Sequence, residues 1–233
     1  MTILSIETST DVCSAALSIG GVCIASYVER EHSNHAALLP KYIESLLATA
    51  REKGCRIEAV ALSEGPGSYT GLRIGTSTAK GLCYGLDVPL IMIPTTEVLC
   101  AAFAAQLHES LPDNALLCPM IDARRMEVYT ALYDTNMGSK SEIAAKIIDE
   151  ESWKDELEKN DIYFFGNGAM KCAEVIQSSN AHFVDGIVPL AEYMGVLAED
   201  TTRKRIEGAE IAYTEPLYVK EFVAAPSHVK GLK

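Results

Sequence analysis

Strand-like and helix-like segments alternate along the first 109 residues, and this alternation is the strongest constraint on the fold. The strand-like segments are short and apolar, and Gly20-Gly21 forms a hairpin turn between the second and the third. Pro40 lies in the first turn of one helix-like segment and Gly54 just past its end, which are favourable positions for both residues. We predict strands over 3–7, 13–19, 22–29, 57–63 and 89–94, and helices over 36–53, 71–86 and 96–109. This order predicts an α/β domain with a partly parallel sheet.

The second half of the chain repeats the start of the first at an offset of 115 residues. In both places a strand ends in an acid, Glu7 or Asp122, and a short polar turn leads into a returning strand. The same offset aligns Ile6 with Ile121, Ala16 with Ala131, and Leu17 with Leu132. An offset close to half the chain length predicts a duplicated protein with two lobes. Beyond the repeat we predict an acidic helical stretch over 141–160, a strand and turn over 161–169, and a helix near 188–204.

The charge and the cysteines restrict the classes of function. With 32 acidic and 20 basic residues, the chain has a formal net charge of −12, which disfavours binding of tRNA or DNA by this chain alone. Seven dispersed cysteines without a C-x-x-C pair predict reduced, mostly buried thiols in a cytoplasmic protein. The N-terminus lacks a secretion-signal pattern, and no apolar run approaches the ~20 residues that span a membrane.

Residues 63–85 contain six glycines, which suit either a phosphate-binding loop or close packing. Neither standard nucleotide motif is present. The Walker loop requires a Lys where Leu72 follows Gly71, and the dinucleotide fingerprint fails at Thr70. The backbone N–H groups of 65–68, between a strand and a helix, could still face an anion. A stripe of small residues on one helix face instead indicates close packing; it consists of Gly71, Gly75, Ala79 and Cys83. Packing inside the chain, contact with a partner protein and a nucleotide edge all stay open.

The histidines and serines that could carry chemistry form no catalytic pattern. His32 and His35 are three residues apart and precede a helix, whereas a metal pair on a helix needs a spacing of four, so solvated histidines are favoured. Ser9, Ser63 and Ser68 have no base in a matching motif, and the G-x-S-x-G elbow of hydrolases is absent.

Two further features allow more than one interpretation. Glu7 and Asp122 either face a metal or phosphate or cap their turns. The helix over 36–53 carries an apolar band that suits a core position alone or a core position plus a partner surface. The band consists of Leu38, Leu39, Tyr42, Ile43, Leu46, Leu47 and Ala50.

Five segments occur in a characteristic order: ILSIETSTDVCSAAL, EHSNHAALLPKYIESLL, SEGPGSYTGLRIGTSTAKGL, DVPLIMIPTTEVL and MIDARRMEVYTALY. They cover residues 2–133, and GPGSYTGLRIG is the most specific. Together they resemble the bacterial TsaB (YeaZ) family of the tRNA threonylcarbamoyladenosine pathway. The resemblance implies an actin and sugar-kinase-like (ASKHA) α/β fold with two ribonuclease-H-like lobes, the second reduced. It implies a first lobe over 1–106 and a second over 107–233, with a C-terminal helix packed back on the first lobe and a flexible tail.

The resemblance also implies a division of labour with TsaD, which transfers threonylcarbamoyl to the adenosine beside the anticodon of tRNAs reading A-starting codons. TsaD ligates a metal through a His-x-x-x-His element after the strand that matches 89–94, where this chain has Thr96 to Cys100 and no histidine. A non-catalytic cytoplasmic subunit is therefore implied, without metal or intrinsic cofactor, and with ATP or ADP at most shared at the partner interface. The other implied partners are TsaE through the complex, a second copy when TsaD is absent, and tRNA only indirectly; no membrane is implied.

The family resemblance also supplies candidate site residues. The implied TsaD interface consists of Leu39, Tyr42, Ile43, Leu46, Leu47, Gly71, Gly75, Thr78, Ala79 and Leu82. The candidate nucleotide or phosphate edge consists of Glu7, Thr8, Ser9, Gly65, Gly67, Ser68 and Arg73. The alternative function is an independent small ATPase or kinase of the actin-like superfamily. A metallopeptidase, which the older glycoprotease-like label suggests, is rejected because the sequence offers no zinc ligands and no nucleophile with a base.

Overall fold

The computed structural model describes residues 1–30, 34–107 and 110–220 and confirms the α/β class. In the first half, every predicted strand and helix is present, with ends shifted by at most three residues. The strands are β1 (Thr2–Glu7), β2 (Cys13–Ile19), β3 (Val22–Glu29), β4 (Ala59–Gly65) and β5 (Leu90–Pro94). The helices are α1 (His35–Glu52), α2 (Tyr69–Leu86) and α3 (Thr95–Gln106).

These strands form one mixed sheet in the order β12-β5-β4-β1-β2-β3, where β12 is the short strand Arg205–Ile206. Strands β1, β4 and β5 run parallel, and β2 and β3 are antiparallel to their neighbours. Strand β1 is buried on both faces, which explains its apolar sequence. Leu4 and Ile6 pack with α1 and α2 on one face, whereas Ile3 packs with α3 and a C-terminal segment on the other.

The second half contains a smaller sheet with the same order and directions of its central strands. Its strands are β6 (Leu116–Asp122), β7 (Glu127–Thr130), β8 (Tyr133–Asp134), β9 (Ala144–Ile147), β10 (Ile162–Phe165) and β11 (Ala181–Val184). Their order is β11-β10-β6-β7-β9, with β8 paired to β6. Strand β6 is antiparallel to β7 and parallel to β10, as β1 is to β2 and β4. This correspondence agrees with the internal repeat, because β1 and β6 end at the aligned acids Glu7 and Asp122.

The helices of the two halves differ greatly in length. Helices α1 and α2 have 18 residues each, whereas α4 (Lys154–Leu157) has 4 and the 3₁₀ turn Met170–Cys172 has 3. The prediction of a helical stretch over 141–160 was therefore wrong for most of its length. Residues of β9 pair with β7 along the edge of the second sheet, and this tertiary pairing overrides the local helical pattern.

The C-terminal residues return to the first sheet. A 3₁₀ turn (Ala191–Tyr193) and α5 (Met194–Ala198) pack on its α3 side, and α6 (Glu210–Tyr213) follows β12. The helix predicted near 188–204 is shorter, because the Asp200 carboxylate accepts hydrogen bonds from the Thr202 N–H and hydroxyl and forms a turn. The predicted flexible tail lies mostly outside the described residues.

Candidate functional site

The glycines of the loop and helix after β4 let α2 approach the β1–β2 turn closely. The Ser68 N–H donates to the Ser9 carbonyl oxygen at 2.6 Å. A Cβ on Gly67 would lie 2.1 Å from the same oxygen, and a Cβ on Gly71 would lie 2.1 Å from the Thr8 carbonyl oxygen. Side chains larger than hydrogen are therefore incompatible with this contact.

The remaining small residues of the stripe also face inward. A Cβ on Gly75 would lie 2.3 Å from Thr8 Oγ1, and Ala79 and Cys83 are buried in the core beneath α2. The Thr8 hydroxyl donates to the Gly71 carbonyl at 2.9 Å, so the turn and the helix are joined by hydrogen bonds as well. Of the three interpretations of the stripe, the structure supports packing inside the chain.

Glu7 lies at the centre of this contact, and its side chain is fully buried. The backbone N–H and hydroxyl of Ser9 both donate to Oε1 at 2.6 Å, while Oε2 has no hydrogen-bond partner among the described residues. Burial raises the pKa of Glu7 to about 7, although the hydroxyls of Ser63 and Ser9 and the Ser9 N–H oppose the shift. A second buried polar pair lies on the neighbouring strand, where the Ser63 and Thr95 hydroxyls are 2.8 Å apart.

Among the candidate residues of the nucleotide or phosphate edge, Arg73 makes its contacts away from the β1–β2 turn. Its guanidinium donates to the Tyr69 hydroxyl at 2.5 Å and lies 5.3 Å from the centre of that ring. Tyr69 in turn packs against Tyr218, with ring centres 5.3 Å apart. The structure thus brings Glu7 to Ser9 together with the 65–68 loop and α2, but places Arg73 on the exposed side of the helix.

Six of the ten predicted interface residues are buried within the chain itself, and for these the prediction needs correction. Leu39, Ile43, Leu46, Gly71, Gly75 and Ala79 lie in the core between the first sheet and its helices or against the β1–β2 turn. A residue that already packs against its own sheet cannot also contact a partner. The other four residues stay half-buried at the surface: Tyr42, Leu47, Thr78 and Leu82.

A second stripe of small residues, not identified from the sequence, lies on the outer side of α2. Ser77, Gly81 and Gly85 are exposed at the same spacing of four residues, and a Cβ on either glycine would meet nothing within 4 Å. Beside them Tyr84 is 91% exposed. The sequence contained a signal for this outer stripe, because its residues have the same four-residue spacing and are shifted by two positions from the inward stripe. We define the outer α1–α2 face as Tyr42, Leu47, Ser77, Thr78, Gly81, Leu82, Tyr84 and Gly85.

A groove of about 520 Å³ borders this face at the start of the two helices. It is lined by Ala36 of α1 and by Tyr69, Arg73 and Ser77 of α2, among others. The groove combines an aromatic ring, a guanidinium and small side chains, which are suitable for contact with another protein.

A larger cleft, about 680 Å³, lies beyond the carboxyl ends of β4 and β5. Its charged lining includes Glu64, Glu97 and Arg203, and Arg203 forms an ion pair with Glu97. Burial and the Glu97 carboxylate raise the pKa of Glu64, while Arg203 opposes the shift. Sequence reasoning missed this cleft because its walls combine 64–97 with 203–215, which are far apart along the chain.

In the second half, Asp122 is exposed and its side chain is occupied by contacts within the protein. Its Oδ1 accepts the Arg124 N–H at 3.0 Å and forms an ion pair with Lys171. The Lys171 ammonium also donates to the carbonyl oxygens of Arg125 and Glu127, each at 2.7 Å. Asp122 therefore caps the β6–β7 turn, as one of the two interpretations of the sequence proposed.

The described residues contain no cluster of three or more His, Cys, Asp or Glu side chains arranged to hold a metal ion. At the position of the expected metal element, the Thr96 hydroxyl is 2.7 Å from the Tyr133 hydroxyl, and Cys100 is buried. His35 begins α1 with its Nε2 3.0 Å from the Thr10 carbonyl oxygen, so it is not simply solvated, and His32 lies outside the described residues. Within the described ranges, none of the helices has the length and apolar character needed to cross a membrane.

Comparisons with known proteins agree on one group of relatives. The family model of the tRNA N6-adenosine threonylcarbamoyltransferase TsaD matches residues 27–224. The tRNA threonylcarbamoyladenosine biosynthesis protein TsaB of Haemophilus influenzae is 30% identical over 236 residues, covering 96% of this chain and 95% of the relative. TsaB of Escherichia coli is 30% identical over 234 residues, covering 96% of both.

Solved structures support the same fold. YeaZ from Pseudomonas aeruginosa has a TM-score of 0.72 and 25% identity, covering 93% of this chain and 99% of its own. A protein with similarity to peptidase YeaZ from Pseudomonas aeruginosa has a TM-score of 0.77 and 22% identity, covering 94% and 99%. The two-sheet architecture is thus shared over nearly the whole length of these proteins.

Proposed function

This chain belongs to the TsaB family, and from that premise we propose that it is the non-catalytic subunit that pairs with TsaD. The family places it in tRNA threonylcarbamoyladenosine biosynthesis, as its full-length likeness to curated TsaB proteins supports. The match to the TsaD family model supports a structural relation between the two subunits.

The proposal that this chain binds TsaD rests on the outer α1–α2 face. Its small residues allow a partner helix to approach the backbone of α2, and the exposed Tyr84 offers a large apolar anchor beside them. Tyr42 and Leu47 extend the face onto α1. We propose that the four half-buried residues and the outer stripe form the interface, in place of the six buried residues.

Several observations support a non-catalytic role. Thr96 and Cys100 stand where TsaD is expected to have its metal-binding histidines, and both are buried. The N–H groups at the start of α2 are partly used by the chain itself, since Ser68 N–H bonds to Ser9 and Gly71 N–H bonds to the Ser68 hydroxyl at 3.3 Å. We propose that any ATP or ADP is held jointly with TsaD and not by this chain alone.

The proposals on the lobes, the other partners and the cellular location rest on membership of the TsaB family. We propose an ASKHA fold with the lobes at 1–106 and 107–233, the C-terminal part of the second range packing back on the first sheet. The short helices of the second half support its being reduced. We further propose that TsaE joins through the complex, that the outer α1–α2 face forms a homodimer when TsaD is absent, and that the protein works in the cytoplasm.

Reconstitution of the transfer reaction tests this proposal. Threonylcarbamoyl transfer to a tRNA transcript is measured with TsaD alone, with this chain alone, and with both, in the presence of the remaining pathway components. We expect transfer only with both. Transfer by this chain without TsaD would contradict the non-catalytic role, and ATP hydrolysis by the purified chain that is lost in Glu7→Ala would favour an independent ATPase.

A further inference from the structure

The β6–β7 turn, residues 123–126, has a backbone conformation that its sequence does not favour. Arg124 and Arg125 have φ angles of 71° and 49°, in the left-handed region. Glycine and asparagine normally occupy such positions, and other residues adopt them at an energetic cost. Residues with such backbone conformations are concentrated at functional sites, which makes this turn a candidate functional site.

Lys171 holds the turn in this conformation. Its ammonium group is surrounded by the Asp122 carboxylate and by the carbonyl oxygens of Arg125 and Glu127. The Asn167 side-chain oxygen accepts the Asp122 N–H at 2.9 Å and fixes the end of β6. The two arginines are therefore presented by a turn that is fixed from its inner side.

The outer side of the turn is basic, although the chain as a whole is acidic. The side chains of Arg124 and Arg125 are exposed and make no hydrogen bond or ion pair within the described residues. Lys171 and Lys220 neutralise the two carboxylates at the ends of the turn, Asp122 and Glu127. The turn and its ion-pair partners thus bring four cationic side chains and two carboxylates together, in a chain whose net charge is −12.

We propose that this turn binds backbone phosphate groups of RNA through Arg124 and Arg125. A guanidinium group donates two parallel hydrogen bonds to a phosphate, and the two neighbouring side chains can reach successive phosphates. The acidic remainder of the surface repels RNA, so the contact is confined to this turn. Phosphate contacts position an RNA without reading its sequence, which is the contribution expected of a non-catalytic subunit. The inference rests on the proposed function, because it assigns to this chain a direct contact with the tRNA of the complex, in place of the indirect one that the family resemblance implies.

The test measures binding of an unmodified tRNA transcript to the complex of this chain with TsaD over a series of salt concentrations. The main variant is Arg124→Gln with Arg125→Gln, which removes both charges and keeps the length of the side chains. Arg124→Lys with Arg125→Lys keeps the charges, and Lys53→Ala with Arg56→Ala removes two exposed charges from the segment before β4 in the first half. We expect the Gln variant alone to lower the slope of log affinity against log salt by about one to two, because each lost phosphate contact lowers it by about one.

Three other outcomes would overturn the inference. One is an unchanged slope in the Gln variant, and another is an equal loss in the Lys53/Arg56 control, which would indicate a general charge effect. The third is failure of the Gln variant to assemble with TsaD, which would assign the turn to an acidic protein surface. Assembly of the wild-type chain with TsaD is measured before RNA is added. If the wild-type chain does not assemble, that result contradicts the proposed function and not the assignment of RNA binding to the turn.

Discussion

The two halves of the molecule have the same strand order and directions. The turn that follows the first strand is nevertheless mostly buried after β1 and exposed after β6. In the first half, α2 covers the β1–β2 turn through Gly67 and Gly71. In the second half, the 3₁₀ turn Met170–Cys172 follows β10 and supplies Lys171, whose ammonium group holds the β6–β7 turn. The corresponding position in the two sheets therefore supports packing in one half and a charged surface in the other.

The glycine pairs at the carboxyl ends of β4 and β10 show how far this parallel extends. Gly65-Pro66-Gly67 and Gly166-Asn167-Gly168 occupy matching places, and Gly65 and Gly166 have φ angles of 112° and 99°. A Cβ on Gly67 would lie 2.1 Å from a backbone oxygen, whereas a Cβ on Gly168 would have its nearest neighbours at 3.0 Å. The first pair is therefore packed more tightly against its neighbouring turn than the second.

The largest effect is expected from substituting these glycines. Gly67→Ala should lower the free energy of unfolding by more than about 3 kcal/mol, because the carbonyl oxygen of Ser9 cannot move without breaking its hydrogen bond to Ser68. Gly168→Ala should lower it by about 1 kcal/mol. Chemical denaturation measures both, and equal losses would show that the two turns are packed alike.

The pH dependence of stability tests the burial of Glu7 at the end of β1. The folded state raises the pKa of Glu7 from 4.5 to about 7, so it binds the proton more tightly than the unfolded chain does. The contribution of Glu7 is therefore most favourable below about pH 4.5 and is lost as the pH rises to about 7, by about 2–3 kcal/mol. Denaturation of the wild type and of Glu7→Gln between pH 5 and 7.5 should show this slope only in the wild type. An identical slope in both proteins would remove Glu7 as its source.

Replacing Lys171 should have a smaller effect. Lys171→Met removes the cation from one carboxylate and two carbonyl oxygens, and we expect a loss of about 1–2 kcal/mol in the free energy of unfolding, because the side chain is partly exposed. Lys154→Met is the matched control, since Lys154 forms an exposed ion pair with Glu151, and its replacement should leave stability almost unchanged. Similar values for both variants would mean that Lys171 does not hold the turn.

The smallest effect is expected on the outer side of α2. Gly81→Ala should raise the free energy of unfolding of the isolated chain by about 0.5–1 kcal/mol, because alanine favours the helix and the Cβ enters open space. Thermal and chemical denaturation check this value. A loss of stability would show that the outer stripe is packed in the isolated chain.

The sequence predicted the first half well because its elements are long and have clear periodicity and turn signals. It predicted the repeat from Glu7 and Asp122, whose strands do correspond. It failed over 141–160, where an edge strand depends on pairing with β7, and near 188–204, where the Asp200 turn ends α5. For the site, spacing identified a small-residue stripe on α2 but could not say which of its two stripes faces the sheet. That depends on the position of Thr8, more than 60 residues away.

The most direct measurement is the affinity of TsaD for variants of each half, determined by isothermal titration calorimetry. Gly81→Gln places a side chain on the outer α1–α2 face without disturbing the core, and Ile147→Gln changes a side chain on β9 that is 72% exposed. We expect Gly81→Gln to weaken binding by at least about tenfold, equivalent to about 1.4 kcal/mol, and Ile147→Gln to bind as the wild type does. Unchanged affinity of Gly81→Gln, or weakening by Ile147→Gln alone, would contradict the assignment of the partner surface to the first half.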